Sequence, residues 1–126
     1  MASPANLLYS KEHEWLKLDG DVATIGITDY AQSSLGDIVY VELPKVGTKI
    51  AQFGNAGVVE SVKAVSDLYT PIGGEITEVN TAIEGDPALV NREPYASGWL
   101  FKLRVANLSE KSQLLSSEAY DSLAKD

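Results

Sequence analysis

The chain has 126 residues, 44% hydrophobic and 22% charged, with a net charge of −8 and no cysteine. That is one domain's length, enough to bury about two-thirds of the unfolded surface. The scattered acids argue against nucleic acid and anionic membrane surfaces, which are gripped through Lys and Arg. No apolar run approaches the roughly 18 residues of a membrane span, and without cysteine any redox chemistry must come from an attached group.

In chain order, residues 1–6 are too short and uncharged for a signal or transit peptide, and 1–8 are expected to be loosely ordered ahead of a single domain spanning 1–126. Residues 14–18 predict a short strand, and Asp19-Gly20 a type I′ turn. Residues 22–27 return as a strand with Ala23, Ile25 and Ile27 on one face. Thr28 is placed to cap a helix over 29–35, with Gly36 as its stop. A strand over 38–43 ends at Pro44, which cannot donate to a ladder. After the central hairpin, 75–80 predict another strand, and Asp86-Pro87 opens a helical turn through Val90. Trp99, Phe101, Leu103 and Val105 alternate with Leu100, Lys102 and Arg104. Ser109 and Ser117 are expected to cap two C-terminal helical pieces, the second turning Ala119, Tyr120 and Leu123 toward the body. Trp15 and Trp99 are expected in the core, where truncating Trp99 would cost about 3–5 kcal/mol. Many short strands, glycine-rich corners and helices kept to the edges predict a mostly β protein.

Two β-prone runs, 58–62 and 65–69, flank Lys63-Ala64 and predict a hairpin with a lysine at its tip. The tip lacks the Asn-Gly or Asp-Gly that favours such turns. Symmetric pairing would set Val62 against Val65 and Glu60 against Asp67, a like-charge pair that destabilises a ladder. Rule-breaking of this kind is expected where a site matters more than local stability. The strand-to-corner stretches 41–47 and 68–74 also echo one another, with Lys63 between them.

Glu60-Ser61-Val62-Lys63-Ala64, with Asp67 and Tyr69-Thr70-Pro71, resembles the lipoyl-attachment segment of the glycine cleavage system H-protein family. His13-Glu14-Trp15, Leu35-Gly36-Asp37-Ile38-Val39, Val41-Glu42-Leu43-Pro44, Glu78-Val79-Asn80 and Gly98-Trp99-Leu100 resemble it too, in order and in register from Tyr9 to Leu123. The resemblance implies a lipoyl/biotinyl-type flattened β-barrel, or barrel-sandwich hybrid, with short peripheral helices that include the C-terminal ones. It implies lipoic acid joined to Lys63 as an amide, the protein presenting a group whose chemistry is the cofactor's own. It also implies a carrier without catalysis of its own, shuttling an aminomethyl group between glycine decarboxylase and a tetrahydrofolate-dependent aminomethyltransferase. Dihydrolipoyl dehydrogenase would reoxidise its dithiol, and lipoate-attaching enzymes would load it.

Glu14 and Asp67 match positions that the family pattern places near the amine of the loaded arm. Glu12 stands where relatives offer a small hydroxyl, which leaves open what completes that cleft. Glu60 serves either recognition by an attaching enzyme or only a solvated strand. His13 has no nucleophile or metal partner in the pattern and reads as structural. The resemblance implies a monomer, cytoplasmic in a prokaryote or in the mitochondrial matrix as a processed eukaryotic chain. Four other readings remain. Biotin carriers typically place lysine between methionines, whereas Lys63 lies between Val62 and Ala64. Lipoyl domains of 2-oxo acid dehydrogenases come with linkers and a catalytic partner. A small acid–base enzyme would use Glu14, His13 and Asp67, and a lipoyl or octanoyl relay would pass its acyl group to other complexes.

Overall fold

The computed structural model describes residues 3–124. Strands β1 (Leu8–Tyr9), β2 (Glu14–Asp19), β3 (Val22–Ile27), β4 (Ile38–Glu42), β5 (Lys49–Ile50), β6 (Asn55–Ser61), β7 (Val65–Tyr69), β8 (Gly74–Val79) and β9 (Phe101–Val105) are joined by four short helices, α1 (Asp29–Leu35), α2 (Ala82–Gly85), α3 (Leu89–Arg92) and α4 (Ser117–Leu123). A 3₁₀ helix covers Leu108–Gln113. Six strands form one antiparallel sheet in the order β1-β2-β3-β9-β8-β5, and three form a second in the order β4-β6-β7. Period-two alternation turns one face of each strand inward. Leu16, Ala23, Ile25, Phe101 and Leu103 of the large sheet therefore meet Ile38, Val41, Val59 and Leu68 of the small one in a common core. The sheets are held by this core and not by a ladder closed into a full barrel, so the flattened sandwich expected from the resemblance is what forms. The two echoing corners are two of the four places where the chain crosses between sheets, from β4 to β5 and from β7 to β8.

Local chemistry explains most of the elements. The Thr28 hydroxyl accepts from the Ala31 N–H at the start of α1, and Gly36, at φ +83°, ends it by donating to the Gln32 carbonyl. The β2–β3 turn differs from expectation. Asp19 pairs with Val22, so the centre is Gly20-Asp21, and only Gly20 has positive φ, whereas a type I′ turn needs two such residues. Asp86 contributes a main-chain acceptor to the Leu89 N–H while its carboxylate pairs with Arg92 at 2.6 Å, and the helix itself begins at Leu89. The C-terminal caps are Asn107 and Ser116, each a short distance ahead of the expected Ser109 and Ser117, because in each case it is the residue before the first turn whose side chain reaches the free amides. Of Ala119, Tyr120 and Leu123, only Tyr120 is buried.

Of the segment 1–8, Met1 and Ala2 lie outside the described residues. The Ser3 hydroxyl donates to Asp121 at 2.6 Å, the Pro4 carbonyl accepts from Tyr9 at 2.6 Å, and Leu7 is buried. Leu7, Tyr9, Trp15 and Tyr120 form a second apolar cluster, with Tyr9 stacked on Tyr120 at 4.7 Å.

The two tryptophans are not equivalent. Trp15 is buried, donates its indole N–H to the Pro94 carbonyl at 2.8 Å and lies so close over Gly26 that a β-carbon there would fall 2.6 Å from the ring. Trp99 is half-buried, because β9 starts only at Phe101, and it carries the Lys102 ammonium 5.1 Å from its ring centroid. Leu100, expected on the outer face, is instead fully buried just ahead of the strand. The large core cost expected for Trp99 therefore belongs to Trp15. In urea unfolding, Trp15→Ala should lose about 3–5 kcal/mol and Trp99→Ala only about 1–2 kcal/mol; equal losses would contradict this packing.

Candidate functional site

The hairpin forms, in a different register from the symmetric one. Glu60 pairs with Val65, Val59 with Ser66 and Val58 with Asp67. The Ser61 N–H donates to the Ala64 carbonyl at 2.8 Å, so the two central residues are Val62 and Lys63, not Lys63 and Ala64. The cause is the Ser61 hydroxyl, which accepts from the amides of both Lys63 (3.3 Å) and Ala64 (3.1 Å). Serine thus supplies by its side chain what Asn-Gly supplies by backbone conformation, and neither Val62 nor Lys63 needs positive φ. The expected opposition of Glu60 and Asp67 is absent, since the shifted register gives each a valine partner.

A further hydrogen bond pins the tip from outside, from the Val62 N–H to the Asp37 carbonyl at 3.0 Å. Lys63 is exposed between Val62 and Val65, themselves 70% and 68% exposed. Its stem runs past Gly36, where a β-carbon would lie 3.5 Å from Lys63 Cε. Among the described residues the ion pairs are Arg92–Asp86 and Lys102–Glu78, neither involving Lys63. The site therefore presents a primary amine, free of a carboxylate partner, on a backbone fixed at three points.

Three of the four acids named from the sequence, Glu12, Glu14 and Asp67, lie around Tyr69. Its hydroxyl lies 3.4 Å from Asp67 Oδ2, and its acidity is weakened first by the Asp67 charge, with smaller effects from Glu12 and Glu14. Glu12 lines a surface cleft of about 370 Å³ with Lys11, Phe53, Tyr69 and Gln113. Glu14, by contrast, is only 2% exposed. Ser10, which the sequence reading missed, is its partner: the Ser10 hydroxyl donates to Glu14 Oε1 at 2.5 Å and accepts from the Glu14 N–H at 3.2 Å. Glu14 thus has a hydroxyl partner from Ser10, two residues before Glu12. A serine opening the turn before β2 was the available signal, but the left-handed backbone of His13 (φ +69°) that brings it back onto Glu14 was not. Burial pushes the Glu14 carboxyl up to about 8, against the opposing hydrogen bonds of Ser10 and of the Tyr69 backbone.

His13 Nδ1 lies 2.8 Å from the Tyr120 hydroxyl, which lies 2.6 Å from Thr28 Oγ1, and the imidazole packs on Tyr30 at 4.8 Å. These contacts tie α4 to the start of α1, and burial lowers the imidazole's proton affinity. The structural reading of His13 fits this setting. Glu60 is half-buried, one residue before the turn.

The glycine cleavage H-protein family model matches residues 7–126. The chain belongs to that family. It is 57% identical over 120 residues to the glycine cleavage system H protein of Halothermothrix orenii, covering 95% of this chain and 94% of the relative. It is 52% identical over 124 residues to that of Escherichia coli, covering 98% and 96%. A crystal structure of the Mycobacterium marinum H protein superposes with a TM-score of 0.85 at 38% identity, over 95% of this chain and 97% of that one. As an H protein, the chain has the lipoyl carrier role in the glycine cleavage system and is a carrier component, not an enzyme by itself. No helix among the described residues is long and apolar enough to cross a membrane.

The buried carboxyl has a consequence measurable without any ligand. The folded state holds the Glu14 proton more tightly than the unfolded chain, whose carboxyl titrates near 4.5. Raising the pH therefore releases that proton first from the unfolded side, and stability falls until the folded group has also ionised. Between about pH 6.5, the ordinary His13 value above which its opposing contribution fades, and about pH 8, the unfolding free energy should decline, and Glu14→Gln should flatten the decline. A slope unchanged in Glu14→Gln urea melts would contradict the assignment.

Proposed function

We propose that Lys63 is the lipoyl acceptor of this H protein and that Glu14 and Asp67, with Ser10, receive the amine of the loaded arm. The observation that carries the reading is the exposed amine of Lys63, without an ion-pair partner among the described residues, at a hairpin tip whose amides are gathered by the Ser61 hydroxyl. The residues fit the group: an attaching enzyme can reach the amine, and a fixed turn sets the root of a long arm better than a loose loop. In the attachment step the neutral ε-amine attacks the acyl carbon of activated lipoate, such as its adenylate. The C–N bond forms, the bond to the phosphate oxygen breaks, AMP departs and the amine gives up a proton. Once bound, the lipoyl group supplies a dithiolane able to take two electrons and carry the aminomethyl group.

The chain's own residues supply the setting. Acylation removes the Lys63 charge, so the sum over Glu60, Lys63 and Asp67 goes from −1 to −2. A buried Glu14 that is still protonated can hand its proton to an arriving amine, forming a carboxylate–ammonium pair with no change in net charge. Such charge-assisted hydrogen bonds are roughly twice as strong as neutral ones. Glu12 stays at the rim of the neighbouring cleft, and Glu60 offers a carboxylate beside the turn for recognition by the attaching enzyme. The partners in this reading are glycine decarboxylase, the aminomethyltransferase, dihydrolipoyl dehydrogenase and the lipoate-attaching enzymes. The bacterial source of the relatives favours the cytoplasm over the mitochondrial matrix.

Lys63→Arg keeps the charge and removes the acylatable amine. With lipoate, ATP and a lipoate-attaching enzyme, intact-mass analysis should show one lipoyl group on the parent chain and none on Lys63→Arg, with unchanged circular dichroism. Loading of Lys63→Arg to the parent level would end the proposal.

A further inference from the structure

Asn91, on α3, lies 28 residues beyond Lys63 in sequence, yet two of its three side-chain hydrogen bonds go to the backbone beneath that lysine and the third to α1. Its Nδ2 donates to the Gly36 carbonyl and to Gln32 Oε1, both at 2.9 Å, and its Oδ1 accepts from the Ile38 N–H at 2.9 Å. One amide thus clamps the end of α1 to the start of β4. Between its two backbone partners lies Asp37, whose carbonyl accepts from Val62, the residue before Lys63. Gly36 itself underlies the Lys63 stem. Each side-chain atom able to bond is used, and the planar amide sets the spacing of Gly36 O and Ile38 N so that the Asp37 carbonyl faces the tip.

From this juxtaposition we infer that Asn91 is a positioning residue for Lys63, acting through the segment 36–38 on the presentation of the ε-amine to the acylating enzyme. The inference rests on the reading of Lys63 as acceptor. The hairpin's own hydrogen bonds through Ser61 shape the turn but do not orient it on the body. That orientation comes from the pairing of Ser61 with Ile38 and from the Val62–Asp37 bond, and Asn91 holds the segment 36–38 that supplies both partners. Asn91→Ala removes all three contacts. Asn91→Asp keeps an acceptor for Ile38 but sets a carboxylate against the Gly36 carbonyl and Gln32 Oε1.

The test has two readouts on the full chain. The first is kcat/KM for loading by a lipoate-attaching enzyme with lipoate and ATP. Asn91→Ala and Asn91→Asp should each lower it about tenfold, as small misplacements of a reacting group do. The second is amide hydrogen exchange, which should quicken at Val62 and Lys63 and stay unchanged in β9. Ser116→Ala, which removes the α4 cap and touches none of these groups, is the control for general destabilisation. Loading at the parent rate, equal slowing in Ser116→Ala, or exchange that quickens everywhere or nowhere would each overturn the inference. Should Asn91→Ala not fold, Asn91→Asp decides on the same two readouts. If the parent chain itself takes no lipoate, the acceptor reading falls, and hydrogen exchange alone decides whether Asn91 positions the tip.

Discussion

The arrangement around the candidate site depends on one side-chain hydroxyl collecting two backbone amides. Ser61 closes the turn that its neighbours cannot close by conformation alone, since valine and lysine resist the left-handed backbone of a tight type I′ turn. With those amides satisfied, the strands pair in the register that gives Glu60 and Asp67 valine partners. The Val62 N–H is left over, pointing away from the hairpin, and finds Asp37. One hydroxyl thereby shapes the tip, sets the strand register and frees the donor that docks the tip on the body.

The second constraint is the burial of Glu14. An isolated carboxylate is costly to bury, and the chain meets that cost with a hydroxyl donor and a proton affinity high enough to leave the group neutral in mildly acidic solution. The same burial keeps Glu14 from acting as a surface acid, unlike Glu12 at the rim. The two acids lie two residues apart in sequence and differ because His13 between them turns the chain through a left-handed conformation. Its imidazole is then fixed by Tyr120 and Tyr30.

Much of this was legible from residues alone. Thr28, Gly36 and the alternation through Ala23, Ile25 and Ile27 follow local rules, and they appear where those rules put them. The hairpin and its lysine were visible in the spacing, and the family through motifs in register. What escaped was set by contacts distant in sequence or by side chains acting as backbone. The register turned on the Ser61 hydroxyl, and Trp99 lost its core place because β9 begins two residues late. Ser10 was hidden because a serine four residues before an acid signifies contact only once the turn between them is known. Asn91 carried no sequence signal, since its partners lie more than fifty residues away.

The small sheet leaves β4 and β7 outermost, each a row of backbone groups that another strand could extend. Acids stand guard at both margins: Asp37 and Glu42 bracket β4, and Asp67 sits within β7. β4 is further protected by the irregularity between Ile38 and Tyr40, which breaks the even ladder a second strand would need. Edge-to-edge stacking of two copies would set like charges against one another on a chain already at −8. The margins that make the lysine hairpin easy to approach are thus ones along which fibrous growth is disfavoured.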